Sequence, residues 1–285
     1  MRERILHLLS ENASPDAVSW LQHTLAGQDV NFDKRPFYYA FSGVSRHFDK
    51  SGTIPKGSDE TFGGWDEYRL ARVALLLLLA KQDETTFVET FHALLNTADL
   101  REQVALFSAL PWLPHPEKLL ESAVDGLRSN IIDIFDSIAL DNAFAAQHFS
   151  DEAWNQMVLK AIFITRPLYR ITGIGNRKNQ RLAEAISDLA HERWAAGRSI
   201  TPEAWQSCEG FIDQRLAEDI GKMARSKDPD DRAAAALVVA NEKTGTLEAL
   251  RELLPTELDR IEARELTWKA LGHSMEEKLT RKSLT

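Results

Sequence analysis

The chain has 285 residues, 44% hydrophobic and 27% charged, the composition of an ordinary globular protein with enough length to bury a sizeable core in one or two domains. Lys and Arg number 34 against 43 Asp and Glu, and the resulting net charge of −9 opposes any function that wraps a polyanionic nucleic acid, including a HEAT-like DNA-binding module. The lone cysteine, Cys208, excludes an internal disulfide framework and a multi-cysteine zinc site.

From the N-terminus, residues 1–10 (MRERILHLLS) carry charge but no long apolar stretch or small-residue cleavage site, so no targeting segment is expected and the protein reads as cytoplasmic. Ile5, Leu8 and Leu9 are spaced for one helix face. Ser14-Pro15-Asp16 is a helix start: an oxygen-bearing cap, a proline where its missing N–H costs nothing, and an acid at the positive end of the helix dipole. Residues 49–64 (DKSGTIPKGSDETFGG) are breaker-rich, with four glycines and one proline, and read as a connector or as a lid. The apolar run of residues 73–80 is too short to span a bilayer, which takes about 20 residues.

Further on, Phe87, Phe91, Leu94 and Leu95 repeat the helical stripe, and His115-Pro116-Glu117 is a weaker helix start. Residues 130–140 (NIIDIFDSIAL) have a strand-like composition, yet Ile131, Ile134, Phe135 and Ile138 fit a helix. Ser150 caps a helix whose stripe is Trp154, Val158, Ala161 and Ile162. Leu182, Ile186, Leu189, Ala190 and Trp194 form the next, ended by Gly197 with Arg198 at its negative end. Thr201-Pro202-Glu203 and Asp228-Pro229-Asp230 repeat the capped start, and residues 228–240 (DPDDRAAAALVVA) resemble a HEAT repeat.

The expected fold is therefore all-α: an irregular α-solenoid of antiparallel helix pairs, HEAT/armadillo-like, with roughly 14 helices. A single helical-repeat domain is expected over 1–285, with an N-terminal cap at 1–48, the loop at 49–64, a main array at 65–275 and a frayed tail at 276–285. The seven tryptophans are expected in the core and Cys208 as a small packed residue.

Chemistry is harder to place. Residues 160–181 hold Lys160, Arg166, Arg170, Arg177, Lys178 and Arg181 with no Asp or Glu. This run either attracts an anion, helped by the Gly173–Asn176 turn, or pairs with acids elsewhere. It lacks the phosphate-loop pattern. Upstream, Asp141, Asn142 and His148 lie in an approach loop, and Asn155 and Gln156 flank the apolar stripe. Such amides either pin neighbouring backbone or line a polar pocket. His191 with a carboxylate is either a general base or a structural histidine. The candidate anion-binding set is Asp141, Asn142, His148, Asn155, Gln156, Lys160, Arg170, His191 and Arg193. No metal site, no catalytic set and no cofactor is expected: H-E-x-x-H, calcium-loop and G-x-S-x-G patterns are missing.

Three blocks, residues 110–124 (LPWLPHPEKLLESAV), 139–171 (ALDNAFAAQHFSDEAWNQMVLKAIFITRPLYRI) and 182–205 (centred on HERWAAGRSITPEAW), together resemble the EboA family. Residues 37–41 (FYYAF) and 70–79 extend the likeness more loosely, and residues 173–178 (GIGNRK) depart from the plainer turn usual there. The resemblance implies a soluble bacterial protein from a conserved gene cluster. The cluster's other products resemble a UbiA-type prenyltransferase, a TatD-like metal hydrolase and further metabolic enzymes, and it is tied to making or exporting secondary-metabolite precursors. It carries over no catalytic residue. The expected function is a non-catalytic scaffold or ligand-binding protein in such a pathway. Its partners would be cluster-encoded enzymes or an anionic small molecule, with no nucleic acid and no membrane span. The alternative is an enzyme acting on a phosphorylated or carboxylated metabolite near residues 141–193.

Overall fold

The computed structural model describes residues 1–283, and those residues form fifteen α-helices and five 3₁₀ segments with no strand. The all-α expectation holds. Packing divides the chain into two compact units, Met1–Phe144 and Ala145–Thr285.

The first unit contains α1 (Arg2–Asn12), α2 (Pro15–Val30), α3 (Lys34–Gly43), α4 (Glu67–Leu79), α5 (Glu84–Thr97), α6 (Leu100–Ala109), α7 (Pro116–Gly126) and α8 (Ile132–Ala139). Helix α4, the one with the Leu-rich run, is buried along nearly its whole length and packs against α1, α2 and α6. The N-terminal helices thus share a core with α4 directly across the breaker-rich segment. The segment itself is tied down at several points. Ile54 and Phe62 are buried, and Asp59 accepts the N–H groups of Thr61 and Phe62 and pairs with Arg4. Glu67 accepts the N–H of Asp49 at 3.1 Å. Within residues 130–140 the chain is helical from Ile132 to Ala139, as α8, because Ile134, Phe135 and Ile138 bury one face.

Helix α9 (Phe144–His148) follows. The second unit then holds α10 (Asp151–Phe163), α11 (Gln180–Ala195), α12 (Gln214–Ala224), α13 (Pro229–Asn241), α14 (Pro255–Glu262) and α15 (Trp268–Ser283). The tail expected to fray is helical through Ser283 within α15, and residues 284–285 lie outside the described residues. No described helix is long and apolar enough to cross a membrane.

The predicted helix starts divide by mechanism. Ser14, Ser150 and Asp228 accept backbone N–H groups of the following turn. Thr201 instead opens the 3₁₀ segment Pro202–Cys208 and makes no side-chain cap bond. His115 makes none either, because its backbone is left-handed at φ 55. Ser14→Ala is expected to cost about 1 kcal/mol in chemical denaturation. The α11 end is as expected: Gly197 takes φ +69, and the N–H of Arg198 bonds the Arg193 carbonyl at 2.8 Å. Of the seven tryptophans only Trp154 and Trp205 are fully buried, and the other five are half-buried. Cys208 is buried, and burial pushes its thiol up out of the reactive range.

Candidate functional site

The basic run of residues 160–181 meets acids of its own unit. Arg177 pairs with Asp151 at 2.8 Å, Arg170 with Glu276 at 3.5 Å, and Lys178 with the nearly buried Glu209. At least three of the six bases are thus compensated locally, which weakens the field that the sequence run suggests.

The candidate residues upstream take structural partners. Asn142 is buried, donates to the carbonyls of Phe107 and Ser137, and accepts the N–H of Phe144, so its amide closes a turn after Asp141 at φ 51. Asn155 exchanges two hydrogen bonds with Asn179, at 2.8 and 3.0 Å, and Asn179 also caps α11. Gln156 and His148 are exposed and Lys160 is half-buried. Arg193 donates through Nε to the Ser199 carbonyl, at the C-terminal end of α11. His191 finds its carboxylate on α12: Nε2 lies 2.7 Å from Asp219, 28 residues on, while Ser187 donates to the other carboxylate oxygen at 2.6 Å. The described contacts of Asn142, Asn155, Arg170, His191 and Arg193 therefore lead to five different places.

Sequence reasoning missed Glu203, which reads there only as the acid of a helix start. It is buried and accepts the N–H groups of Tyr169 at 2.7 Å and Leu168 at 3.3 Å. Burial pushes its carboxyl up to about 7, against the pull of those two N–H groups and with a smaller push from Glu276. Tyr169 donates to Glu276, and a Cβ at Gly272 would collide with Glu203 and the Tyr169 ring, so only glycine lets α15 approach. Glu203, Gly272 and Glu276 border a cleft of about 340 Å³. Its lining sets two carboxyls, Glu203 and Glu276, against one base, Arg166.

The concave surface with the opposite chemistry lies in the first unit, between α2 and α3. It encloses about 570 Å³, and its lining includes Trp20, His23, Arg35, Tyr39, Arg46 and His47. The corner between the helices is set by Gln28, which accepts the N–H of Asp33, and by Asp33, which accepts the N–H of Arg35 as the α3 cap. The His47 ring lies flat on Trp20, with centroids 4.0 Å apart and planes 12° apart. Arg35 stands 5.9 Å over the exposed Tyr39 ring. Among the described residues, no carboxylate pairs with His23, Arg35, Arg46 or His47. Asp33, the acid in the lining, is engaged at the helix cap. Asp29, the other nearby acid, is paired with Arg2 at 2.8 Å and Lys81 at 2.9 Å, and the Arg2 hydrogen bond holds its carboxyl below the usual range. The groove is therefore net positive even with both histidines neutral.

Glu84, His115 and Glu117 bring three potential ligand atoms within 4.8 Å of one another. They sit where the N-termini of α5 and α7 meet, and Lys118 stands 3.8 Å from Glu84. Two positive helix ends and an ammonium oppose a cation there.

Residues 1–209 match the model of the family described as metabolite traffic protein EboA. The chain belongs to the EboA family. No curated protein and no solved structure matches it. The α2–α3 groove lies wholly inside the matched residues. The cleft at Glu203 draws Gly272, Met275, Glu276 and Leu279 from outside them, and a cavity of about 790 Å³ beside Glu209 likewise takes residues 210–213 and 241–244.

Proposed function

We propose that this chain binds a metabolite without altering it, and that the α2–α3 groove is where the metabolite sits. The observation that carries this is the groove's set of bases without carboxylate partners, in a chain whose net charge is −9. Its volume falls within the roughly 300–1,000 Å³ of small-molecule sites. The family is named for metabolite traffic, and its model covers the groove entirely. In this reading the ligand is a secondary-metabolite precursor passed to enzymes encoded in the same gene cluster. The helices serve as its frame, an irregular solenoid supported by sequential packing of α1 on α2, α5 on α6, α7 on α8, α10 on α11 and α12 on α13.

Gly27 provides the test. It lines the groove, and a Cβ there meets nothing within 4 Å, so a larger side chain enters the cavity without striking the fold. Glycine inside a helix also costs roughly 0.5–1 kcal/mol relative to alanine, so the helix gains from the change. Native mass spectrometry of protein purified gently from its own host is expected to show a bound small molecule, lost in Gly27→Leu while far-UV circular dichroism is unchanged. A molecule retained at full occupancy in Gly27→Leu places the site elsewhere. Wild-type protein that carries none, and captures none from a metabolite extract, overturns the function.

A further inference from the structure

We infer that the groove takes an amphipathic organic anion, one carboxylate, phosphate or sulfonate group on a flat or branched apolar body. This rests on the groove being the binding site.

The two halves of the class come from two sets of side chains. Arg46 and His47 follow one another at the end of the 3₁₀ segment Val44–Arg46, and Arg35 and His23 share their cavity. The indole of Trp20 covers one face of the His47 ring and leaves the ring edge, which carries the N–H donors, to meet an acceptor. Guanidinium groups without a carboxylate are the strongest remaining donors for an oxyanion.

The other half is apolar. Tyr39 is 68% exposed, an unusual state for a large aromatic ring beside a cavity, and Pro36, Ala40 and Trp20 continue the surface. Inorganic phosphate would leave that surface in water, and an uncharged apolar molecule would leave the guanidinium groups unanswered. A cavity of about 570 Å³ matches the size of small-molecule sites, which favours a small molecule or a single lipid headgroup with its first carbons.

The test is a fluorescence titration of the full chain with anilinonaphthalene sulfonate, an aromatic anion, and with N-phenyl-naphthylamine, nearly the same body without charge. The sulfonate is expected to bind one per chain and at least about 10-fold more tightly, since each charge-assisted contact is worth about a factor of ten or more. Inorganic phosphate should displace it only in large excess. The double variant Arg35→Gln/Arg46→Gln should weaken the sulfonate by about 10- to 100-fold and leave the uncharged probe unchanged, whereas Tyr39→Ser should weaken both. Melting curves matching wild type exclude misfolding. Cosedimentation with phosphatidylglycerol vesicles that the arginine variant abolishes would make a lipid headgroup the source of the anion, and its absence a free metabolite. Equal affinity for the two probes, or no effect of the arginine variant, overturns the ligand class. Sulfonate binding that Gly27→Leu leaves untouched overturns the groove itself.

Discussion

Replacing Glu102 with alanine is expected to cost about 3–5 kcal/mol, a large share of a typical domain's stability, because it strands a buried cation. Arg72 lies inside α4 and is 1% exposed. Its Nη2 is 3.6 Å from Glu102 on α6, its Nε donates to the Phe41 carbonyl at 3.2 Å, and the Phe41 and Tyr68 rings flank it at 5.7 and 5.6 Å. Burial lowers the guanidinium pKa, and Glu102 is the largest influence holding the charge in place. Glu102 also closes the α6 capping box by accepting the N–H of Asp99 at 3.0 Å, so the substitution frays that helix start as well. Arg72→Met should cost less, since Glu102 keeps its cap bond. Arg72→Met/Glu102→Leu should recover most of the loss, because an apolar pair of similar volume replaces a buried ion pair at little cost. Urea denaturation of the three variants checks the order. A Glu102→Ala loss below about 1 kcal/mol, the range of an exposed pair, refutes the buried-charge account.

Glu203 is expected to make the fold less stable as pH rises. Its folded pKa of about 7 stands above the 4.5 of the unfolded chain, so between those values the native state holds more protons than the unfolded state. The stabilisation is complete below pH 4.5, declines through pH 7 and is gone above it. The total is about 3 kcal/mol, at the rate of about 1.4 kcal/mol per pH unit. Glu203→Gln cannot ionise. The difference in stability between wild type and variant should therefore be flat at acid pH and move by about 3 kcal/mol in the variant's favour by pH 8, whatever constant offset the amide introduces. A difference that stays constant across the window rules out a buried, titrating Glu203. Asp29 acts in the opposite direction and lower down: its carboxyl is held below 3.8, so its contribution is present above that value and lost as pH falls through the folded pKa. The two effects occupy separate windows and can be read from one pH series.

Much of the local structure was legible because it depends on neighbours in sequence. The helices follow from a 3.6-residue apolar period, and starts such as Ser14, Ser150 and Asp228 follow from side chains that reach the next turn. Residues 130–140 gave the right answer once spacing was weighed above composition. One start took another geometry, a 3₁₀ segment after Thr201, and α7 begins at Pro116 as expected although the left-handed His115 makes no side-chain cap bond. The blocks that resemble the EboA family lie inside the matched residues, so membership was legible as well.

The positive groove between α2 and α3 was not legible, for a reason of electrostatics. A run of bases stands out in sequence, but whether it creates a field depends on acids brought in from a distance, as Asp151 reaches Arg177 and Glu209, 31 residues from Lys178, covers that lysine. The groove has the reverse history. His23, Arg35, Arg46 and His47 are spread among Asp29 and Asp33, so the segment looks balanced. Packing then directs Asp29 to Arg2 and Lys81, and the start of α3 engages Asp33, which leaves the bases together over one cavity. By itself the sequence determined the all-helical fold, several helix starts and the family, all carried by contacts within a few residues or by linear pattern. Only the tertiary structure decided which charges are neutralised and which face an open groove, because a Coulomb interaction depends on distance and burial, and neither is written in the order of the residues.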